Sequence, residues 1–408
     1  MDEVQRFVPL NTDDQTVASR QETTIGYKSI FKQFVIRFCA AVTIGVFLLV
    51  AVEVLSYMRY RRTPHDALKP GVEVDLAEDG DAALREYRRE FNQSNKVTYH
   101  QYVLWRRAPY EGQMISINQD GVRRTVHTQC DDHTLAIWMF GDSVMWGSGT
   151  PDEETIPSLV AQDYEKAGHP ACIVNYGEKG WSNSQELIEL IEQLKHAAKK
   201  PDFVLFYDGG TEAFTAYQNG QPDVHSNFNL FENILDNWGS TQVAGFSYLR
   251  QTNTYRLLER ISEKASQGSQ KATKIDAATL SAEVIENYLQ NMDIVQQLAK
   301  RYGFHPIFFW YPNMAVGHKQ LTPFEQHLLQ SEFRKFPNVG QMYQAVYERA
   351  HQISQPDFYN LQNAVDDQKT TLYRGISHMG LEGNQIVARK LFEILQHADS
   401  TAAKEPSN

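Results

Sequence analysis

The hydrophobic pattern changes character along the chain. From Thr134 onward, short runs of continuous apolar residues alternate with stretches whose apolar residues recur every three to four positions. Continuous runs are typical of strands buried on both faces of a parallel sheet, and the periodic stretches are typical of the helices that cover it. The strand-like runs are TLAIWMF, ACIVNY, DFVLFY and HPIFFWYP. The pattern therefore predicts an α/β domain with three layers, α/β/α, around a central parallel sheet.

Departures from this alternation mark further segments. We predict a disordered tail over residues 1–33, a linker and strand-containing extension over 61–133, the α/β domain over 134–398 and a frayed tail over 399–408. Within the domain, residues 218–276 are rich in asparagine and aromatic residues and then become low in complexity. This composition predicts an insertion over the sheet, part lid and part helix.

One apolar stretch lies outside the α/β pattern. Phe38–Met58 holds 21 residues with a single charge, Glu53, and is long enough to cross a bilayer as a helix. A cleaved signal peptide fits poorly, because the run starts late, is too long and lacks a small-x-small cleavage site. We therefore predict one retained transmembrane helix over residues 34–60. Basic residues are balanced on its two sides, so flanking charge does not give its orientation.

Composition narrows the classes of partner and cofactor. The 408 residues carry 50 acidic and 39 basic side chains, a net charge of −11, and no basic run with interleaved aromatics, which argues against nucleic-acid binding. Three cysteines are too few for a disulfide scaffold. Cys130 and Cys172 lie beside two predicted strands; two free thiols are favoured, and a disulfide between them stays open. The histidines form no metal-binding pattern and no phosphate loop is present, so no metal or cofactor is predicted.

Polar and glycine-bearing segments follow the predicted strands, at the edge where parallel sheets bind ligands. FGDSVMWGSG contains Ser143, NYGEKGWSNS contains Gly180, DGGTE contains Thr211, and His378 lies in a loop before the last helix. We expect Asp142 to cap or brace the turn beside the serine. Acyl transfer needs a base that activates a hydroxyl and donors that hold an oxyanion. The pattern therefore predicts a serine nucleophile site.

These segments resemble, in order and spacing, the motif blocks of the SGNH (also called GDSL) esterases and acyl hydrolases, over about Thr134–His397. The resemblance implies an SGNH or flavodoxin-like fold, with Ser143 as nucleophile and His378 as general base, then general acid. It also implies that the N–H groups of Ser143 and Gly180, with Thr211, hold the oxyanion, and that no cofactor is needed. The upstream segment WRRAPYEGQMISINQDGVRRT is similar to membrane-anchored bacterial members. Their hydrolase domain lies outside the cytoplasm, which implies a single-pass protein of the bacterial inner membrane with an extracytoplasmic catalytic domain.

Two positions depart from the family's pattern. The third block usually reads Gly-x-Asn-Asp, with the asparagine amide as an oxyanion donor; here these positions are Thr211 and Glu212. We expect Glu212 to be a surface or helix-start charge. The fifth block usually reads Asp-x-x-His, and the aspartate orients the imidazole; here that position is Gly375. Either Asp366 or Asp367 could replace this acid, or a backbone carbonyl could hold the imidazole, as in some members.

Taken together, the residues and the resemblance predict a serine-dependent hydrolase of an acyl ester on a carbohydrate or lipid. Two alternatives stay open. One is an O-acyltransferase on an envelope polysaccharide, which uses the same acyl-enzyme. The other is a non-enzymatic descendant whose cleft binds glycan or lipid, which the departures at Thr211 and Gly375 motivate. The sequence gives neither the substrate nor the oligomeric state.

Overall fold

The computed structural model describes residues 13–60, 82–236, 252, 254–255 and 276–402. The chain divides into two compact units. One consists of Met1–Pro64 and Gly239–Ala265, and the other of His65–Trp238 and Ser266–Asn408. The predicted linker and most of the predicted insertion lie outside the described residues.

Among its described residues, the first unit has one long helix, α1 (Asp13–Tyr60). Its segment Phe31–Met58 has a mean hydropathy of 2.5 and mostly exposed side chains, and it is long and apolar enough to span a membrane. The helix begins at Asp13, inside the stretch predicted to be disordered, so that prediction is wrong for residues 13–33, and residues 1–12 lie outside the described chain. Within this unit, Thr254 donates its N–H and its hydroxyl to the carboxylate of Glu53, at 3.0 and 2.8 Å.

The second unit begins with a small extension. It contains a helix and two short antiparallel pairs of strands: α2 (Ala82–Gln93), β1 (Val97–His100) paired with β2 (Leu104–Arg107), and β3 (Tyr110–Glu111) paired with β4 (Ser116–Ile117). Glu90 holds the turn between β3 and β4, because its carboxylate accepts the N–H groups of Gln113, Met114 and Ile115. The extension is therefore folded, with strands as predicted.

A five-stranded parallel sheet forms the centre of this unit. Its strands are β5 (Leu135–Gly141), β6 (Ala171–Asn175), β7 (Phe203–Asp208), β8 (His305–Trp310) and β9 (Phe358–Asn360), in the order β6-β5-β7-β8-β9. Every residue of β7 is buried, and the rings of Phe140, Phe206 and Phe308 stack across three strands with centroids 5.3 and 5.5 Å apart. The four long apolar runs are thus the strands that the sequence predicts.

Helices cover the sheet in two groups. The helices of the second unit that follow the extension are α3 (Ser143–Trp146), α4 (Ile156–Lys166), α5 (Asn183–His196), α6 (Gly210–Asn219), α7 (Phe228–Asp236), α8 (Ala277–Tyr302), α9 (Pro323–Lys335), α10 (Val339–Ala350) and α11 (Leu381–Ala402). One group pairs α4 with α11, and the other packs α5, α6 and α10 around α8. The described residues therefore confirm the predicted α/β architecture with a central parallel sheet.

Two predictions need correction within this unit, and a third is only partly described. Cys130 and Cys172 form a disulfide, so the favoured pair of free thiols is wrong. Helix α11 continues to Ala402, so residues 399–402 are helical, and 403–408 lie outside the described chain. Of the predicted insertion, the second unit shows only residues 218–236, with helix α7, and the capping residue Asp276 of α8.

Candidate active site

Ser143 lies at the carboxyl end of β5, at the first position of the short helix α3. Asp142 caps this helix, because its carboxylate accepts the N–H of Val144 at 2.7 Å. The expected role of Asp142 is confirmed. The loop after β6 packs closely on the same helix at Gly177, where a Cβ would lie 2.5 Å from the backbone nitrogen of Trp146. A side chain at that glycine would therefore displace the turn that carries the serine.

His378 lies beside Ser143. Ser143 Oγ and His378 Nε2 are 2.8 Å apart, within reach for transfer of the hydroxyl proton to the imidazole. Glu325 holds the loop before the histidine, since its carboxylate accepts the N–H groups of Leu372 and Tyr373 at 2.9 and 3.1 Å. The structure therefore brings together the two residues that the sequence predicts as nucleophile and base.

The other imidazole nitrogen has no such support. His378 Nδ1 is buried and has no hydrogen-bond partner among the described residues. Asp366 instead accepts the N–H of His318 at 2.9 Å and lies 3.4 Å from its imidazole, and Asp367 is exposed and contacts a neighbouring glutamine. Because both carboxylates are engaged elsewhere, the prediction that one of them replaces the acid missing at Gly375 is wrong. No backbone carbonyl of the described chain takes its place.

The surroundings of His378 favour the neutral imidazole. Burial lowers the pKa of His378 to about 4, and the positive charge of Lys179 adds to this effect. Burial also holds the pKa of the Lys179 ammonium well below its usual range. Because burial is the larger cause at His378, the direction holds whether Lys179 is charged or neutral. At neutral pH the imidazole can accept a proton from Ser143, but it is a weak base.

A small cavity lies at the Ser143–His378 pair. Gly180, Thr211 and Ser377 also line it, and its free volume of about 20 Å³ holds about one water molecule. The backbone N–H groups of Ser143 and Gly180 donate to no acceptor among the described residues. Gly180 has φ +78°, a conformation that glycine adopts at little steric cost. Two unpaired N–H groups beside one cavity can stabilise an oxyanion.

Thr211 lines this cavity, but its hydroxyl is engaged. It donates to the carboxylate of Asp142, which also accepts the hydroxyl of Tyr311 at 2.5 Å. The same Tyr311 oxygen accepts the N–H of Thr211 at 3.0 Å. Burial raises the pKa of Asp142, and these hydrogen bonds oppose the rise. The predicted role of Thr211 as an oxyanion donor is therefore not met in this structure, because its one hydroxyl hydrogen points to Asp142.

Three further carboxyl groups are buried near Asp142: Glu186, Asp208 and Glu212. Burial raises the pKa of all three, that of Asp208 to about 7. Asn183 bridges two of them, since its side-chain amide donates to Asp208 at 3.0 Å and its backbone N–H donates to Glu212 at 2.8 Å. Glu212 lies in the first turn of α6 as expected, but it is buried there and is not a surface charge.

Sequence reasoning missed three polar residues of this region, Tyr311, Asn313 and Ser377. Ser377 Oγ accepts the side-chain N–H of Asn313 at 3.1 Å, and its own hydroxyl donates to no acceptor among the described residues. Tyr311 and Asn313 both follow β8. The rule that ligands bind beyond the carboxyl ends of strands, applied to the fourth apolar run, is the signal that could have found them.

Comparison with known proteins gives remote structural likenesses. No protein-family model matches the sequence, and no curated protein matches it. The chain is similar to a solved member of the lipolytic protein G-D-S-L family from Veillonella parvula DSM 2008, with 11% identity over 64% of this chain and 99% of that chain and a TM-score of 0.36. It is also similar to the psychrotrophic esterase EstA from Pseudoalteromonas sp. (9% identity, 65% and 98% of the two chains, TM-score 0.34). A third is the acetyl xylan esterase AlAXEase (12%, 63% and 98%, TM-score 0.33).

Proposed function

We propose that this chain is a serine-dependent ester hydrolase of the SGNH type, in which Ser143 forms an acyl-enzyme and His378 moves the proton. The observation that carries the proposal is the 2.8 Å contact between Ser143 Oγ and His378 Nε2. It lies beside a cavity with two unpaired backbone N–H groups. A nucleophile, a base and oxyanion donors that converge on one point are the parts that acyl transfer needs.

The reaction would proceed in two steps, formation of an acyl-enzyme and its hydrolysis. His378 Nε2 takes the proton of the Ser143 hydroxyl as Oγ bonds to the acyl carbon, and the carbonyl oxygen becomes an oxyanion held by the N–H groups of Ser143 and Gly180. The tetrahedral intermediate then collapses: the bond to the alcohol breaks, and the imidazolium returns the proton to the leaving oxygen. Water repeats the sequence on the acyl-enzyme and releases the carboxylic acid. Ser377 adds a hydroxyl donor to the cavity in place of the engaged Thr211.

The unpartnered nitrogen of His378 sets an expectation for the rate. In serine hydrolases an acidic partner fixes the imidazole tautomer and stabilises the imidazolium, and disabling it costs on the order of 10⁴ in kcat. Here Nδ1 is buried and has no partner in the part of the chain that the structure describes, and the imidazole is a weak base. We therefore expect a slow hydrolase whose turnover still depends on Ser143.

The cavity supports a short acyl group. A free volume of about 20 Å³ leaves little room for a long acyl chain beside the nucleophile. The alcohol part of the ester, a carbohydrate or a lipid, would extend outside the cavity. We propose an acyl ester of this class as the substrate.

Two features of the chain support a proposal for its compartment. The disulfide between Cys130 and Cys172 is of a kind that persists in oxidising compartments. Helix α1 supplies an apolar segment, Phe31–Met58, that is long enough to anchor the chain in a membrane. We propose a single-pass protein of the bacterial inner membrane with its catalytic unit on the extracytoplasmic side.

The test uses full-length protein in detergent, with Ser143→Ala and His378→Ala variants as controls. A fluorophosphonate probe reports the activated serine, and a short-chain aryl ester reports turnover. We expect the wild type to react with the probe and to hydrolyse the ester. We expect the hydrolysis rate of each variant to be at least about 10³-fold lower, because neither variant retains both nucleophile and base. Equal signals from wild type and Ser143→Ala would overturn the proposal and favour the non-enzymatic alternative. A sugar acceptor added in competition with water separates hydrolysis from acyl transfer, since only a transferase leaves the acyl group on the sugar.

A further inference from the structure

The loop that carries Gly180 is held by side chains from a different part of the chain. The carbonyl of Lys179 and the N–H of Gly180 belong to one planar peptide unit and point to opposite edges of it. The indole N–H of Trp105 donates to the Lys179 carbonyl at 3.2 Å. Trp105 is in strand β2 of the extension, so the extension fixes one edge of the peptide unit whose other edge is the oxyanion donor.

Trp105 is itself rigidly placed. Its backbone carbonyl accepts the indole N–H of Trp181 at 3.1 Å. Trp105 therefore makes two hydrogen bonds with the loop, one through its indole and one through its backbone. Both side chains are buried, together with Val103. A rigid donor of this kind restricts the rotation of the Lys179–Gly180 peptide more than a flexible polar side chain would.

The neighbouring peptide units of the loop are held in the same way. The carboxylate of Glu178 accepts the N–H of Arg107, from β2, at 2.8 Å and the N–H of Lys179 at 2.8 Å. On the other side, the hydroxyl of Ser226 donates to the carbonyl of Gly180 at 3.0 Å. Three consecutive backbone positions are thus fixed while the N–H of Gly180 itself stays unpaired, which is the arrangement that an oxyanion donor needs.

Fixing the Lys179–Gly180 peptide in this orientation would lower the free energy of the transition state. An oxyanion donor is effective when it is already oriented, because no reorganisation is then needed as charge develops. A hydrogen bond to the carbonyl of a peptide also polarises its N–H and strengthens the bond that the N–H donates. Loss of the Trp105 bond would therefore weaken stabilisation of the oxyanion more than binding of the neutral ester.

We propose that Trp105 is a positioning residue for the proposed hydrolase, which orients the Gly180 N–H through the carbonyl of Lys179 and makes the extension part of the catalytic unit. This inference rests on the proposed function of the Ser143 site. It assigns to β2 a role in the reaction that the strand-end residues alone do not reveal.

The test compares Trp105→Phe with Trp310→Phe in the full-length protein. Both changes remove an indole N–H from a buried ring, but the indole of Trp310 has no hydrogen-bond partner among the described residues. We expect Trp105→Phe to lower kcat for a short-chain aryl ester about tenfold, with KM within about twofold of wild type. We expect Trp310→Phe to keep kcat within about twofold, even where its melting temperature falls.

Hydrogen exchange gives a second readout that does not depend on turnover. We expect amide hydrogen exchange in the segment 177–181, measured by mass spectrometry, to be faster in Trp105→Phe than in the wild type. We expect no such change in Trp310→Phe. Unchanged kcat in Trp105→Phe, or equal losses in both variants, would overturn the inference. If the wild type shows no Ser143-dependent turnover, the proposed function fails, and unchanged exchange at 177–181 would then overturn the positioning role separately.

Discussion

The two sides of the Ser143–His378 pair differ in how their buried polar atoms are satisfied. On the serine side, the carboxylate of Asp142 receives three hydrogen bonds, from Val144, Thr211 and Tyr311. On the histidine side, Nδ1 has no hydrogen-bond partner among the described residues. Most buried polar groups in proteins are paired, so this nitrogen differs from the carboxylate of Asp142 in having no partner among the described residues.

This difference means that the arrangement of the atoms at the site and the proton affinity of His378 depend on different parts of the structure. The proposed nucleophile, its contact with Nε2 and the N–H groups without a partner among the described residues depend only on a correctly folded chain. The strength of the base depends on what stabilises the imidazolium, and burial without a partner disfavours that form. We therefore expect changes on the histidine side to alter the rate through the pKa of His378, and changes on the serine side to act mainly through stability.

The largest effect is expected from Gly375→Asp, which would place a carboxylate three residues before His378. The spacing to His378 is that of the Asp-x-x-His pattern of the SGNH esterases, and Gly375 is not among the glycines with positive φ, so its backbone conformation does not require glycine. We expect kcat/KM for a short-chain aryl ester to rise about tenfold or more, because a carboxylate stabilises the imidazolium. The matched control, Gly375→Asn, adds the same bulk without the charge and should gain little. A folded Gly375→Asp variant that is no faster than wild type would contradict the idea that the acid is what the site lacks.

A second, smaller effect concerns pH. In the proposed reaction the active form of His378 is the neutral imidazole, so activity would be lost as the pH falls through its pKa. With that pKa lowered to about 4 by burial, we expect kcat/KM to be level at neutral pH and to reach half its maximum near pH 4, not near the usual 6.5. The measurement is kcat/KM between pH 3.5 and 8, with circular dichroism to follow folding. In Gly375→Asp the midpoint should move to higher pH, and a wild-type midpoint near 6.5 would show that the imidazole is better solvated than the structure indicates.

The fold was largely predictable from the sequence because its strands are long and buried on both faces. Each of the four apolar runs became a strand, whereas β9 was missed because Phe358–Asn360 has only three half-buried residues. Two free thiols were the favoured prediction because the sequence does not show that the strands beside Cys130 and Cys172, 42 residues apart, are neighbours. The register that places Cys172 beside β5 depends on sheet pairing, which periodicity does not reveal.

The site was predictable where a residue's position follows from a strand end, and not where it follows from loop packing. Ser143 comes two residues after the end of β5, so the α/β pattern predicts its place at the carboxyl edge of the sheet. Asp366 comes twelve positions before the histidine in the sequence, but the loop that contains it turns toward His318. The hydroxyl of Tyr311 reaches Asp142 across 169 residues of chain, and no local signal gives such a pairing.

The smallest change in kcat is expected from Thr211→Val, a substitution on the serine side of the pair. Valine keeps the shape of threonine and removes the hydroxyl that donates to Asp142. Because that hydroxyl does not face the oxyanion, we expect kcat to fall less than about fivefold, while the free energy of unfolding falls by about 1–2 kcal/mol from the lost bond to a buried carboxylate. The measurements are steady-state kinetics with a short-chain aryl ester and denaturant unfolding. Thr215→Val is the matched control, since Thr215 lines the same cavity and its hydroxyl donates to a backbone carbonyl of its own helix. A drop of 10² or more in kcat for Thr211→Val alone, with KM unchanged, would mean that the hydroxyl turns to the oxyanion during the reaction, and the serine side would then contribute to catalysis directly.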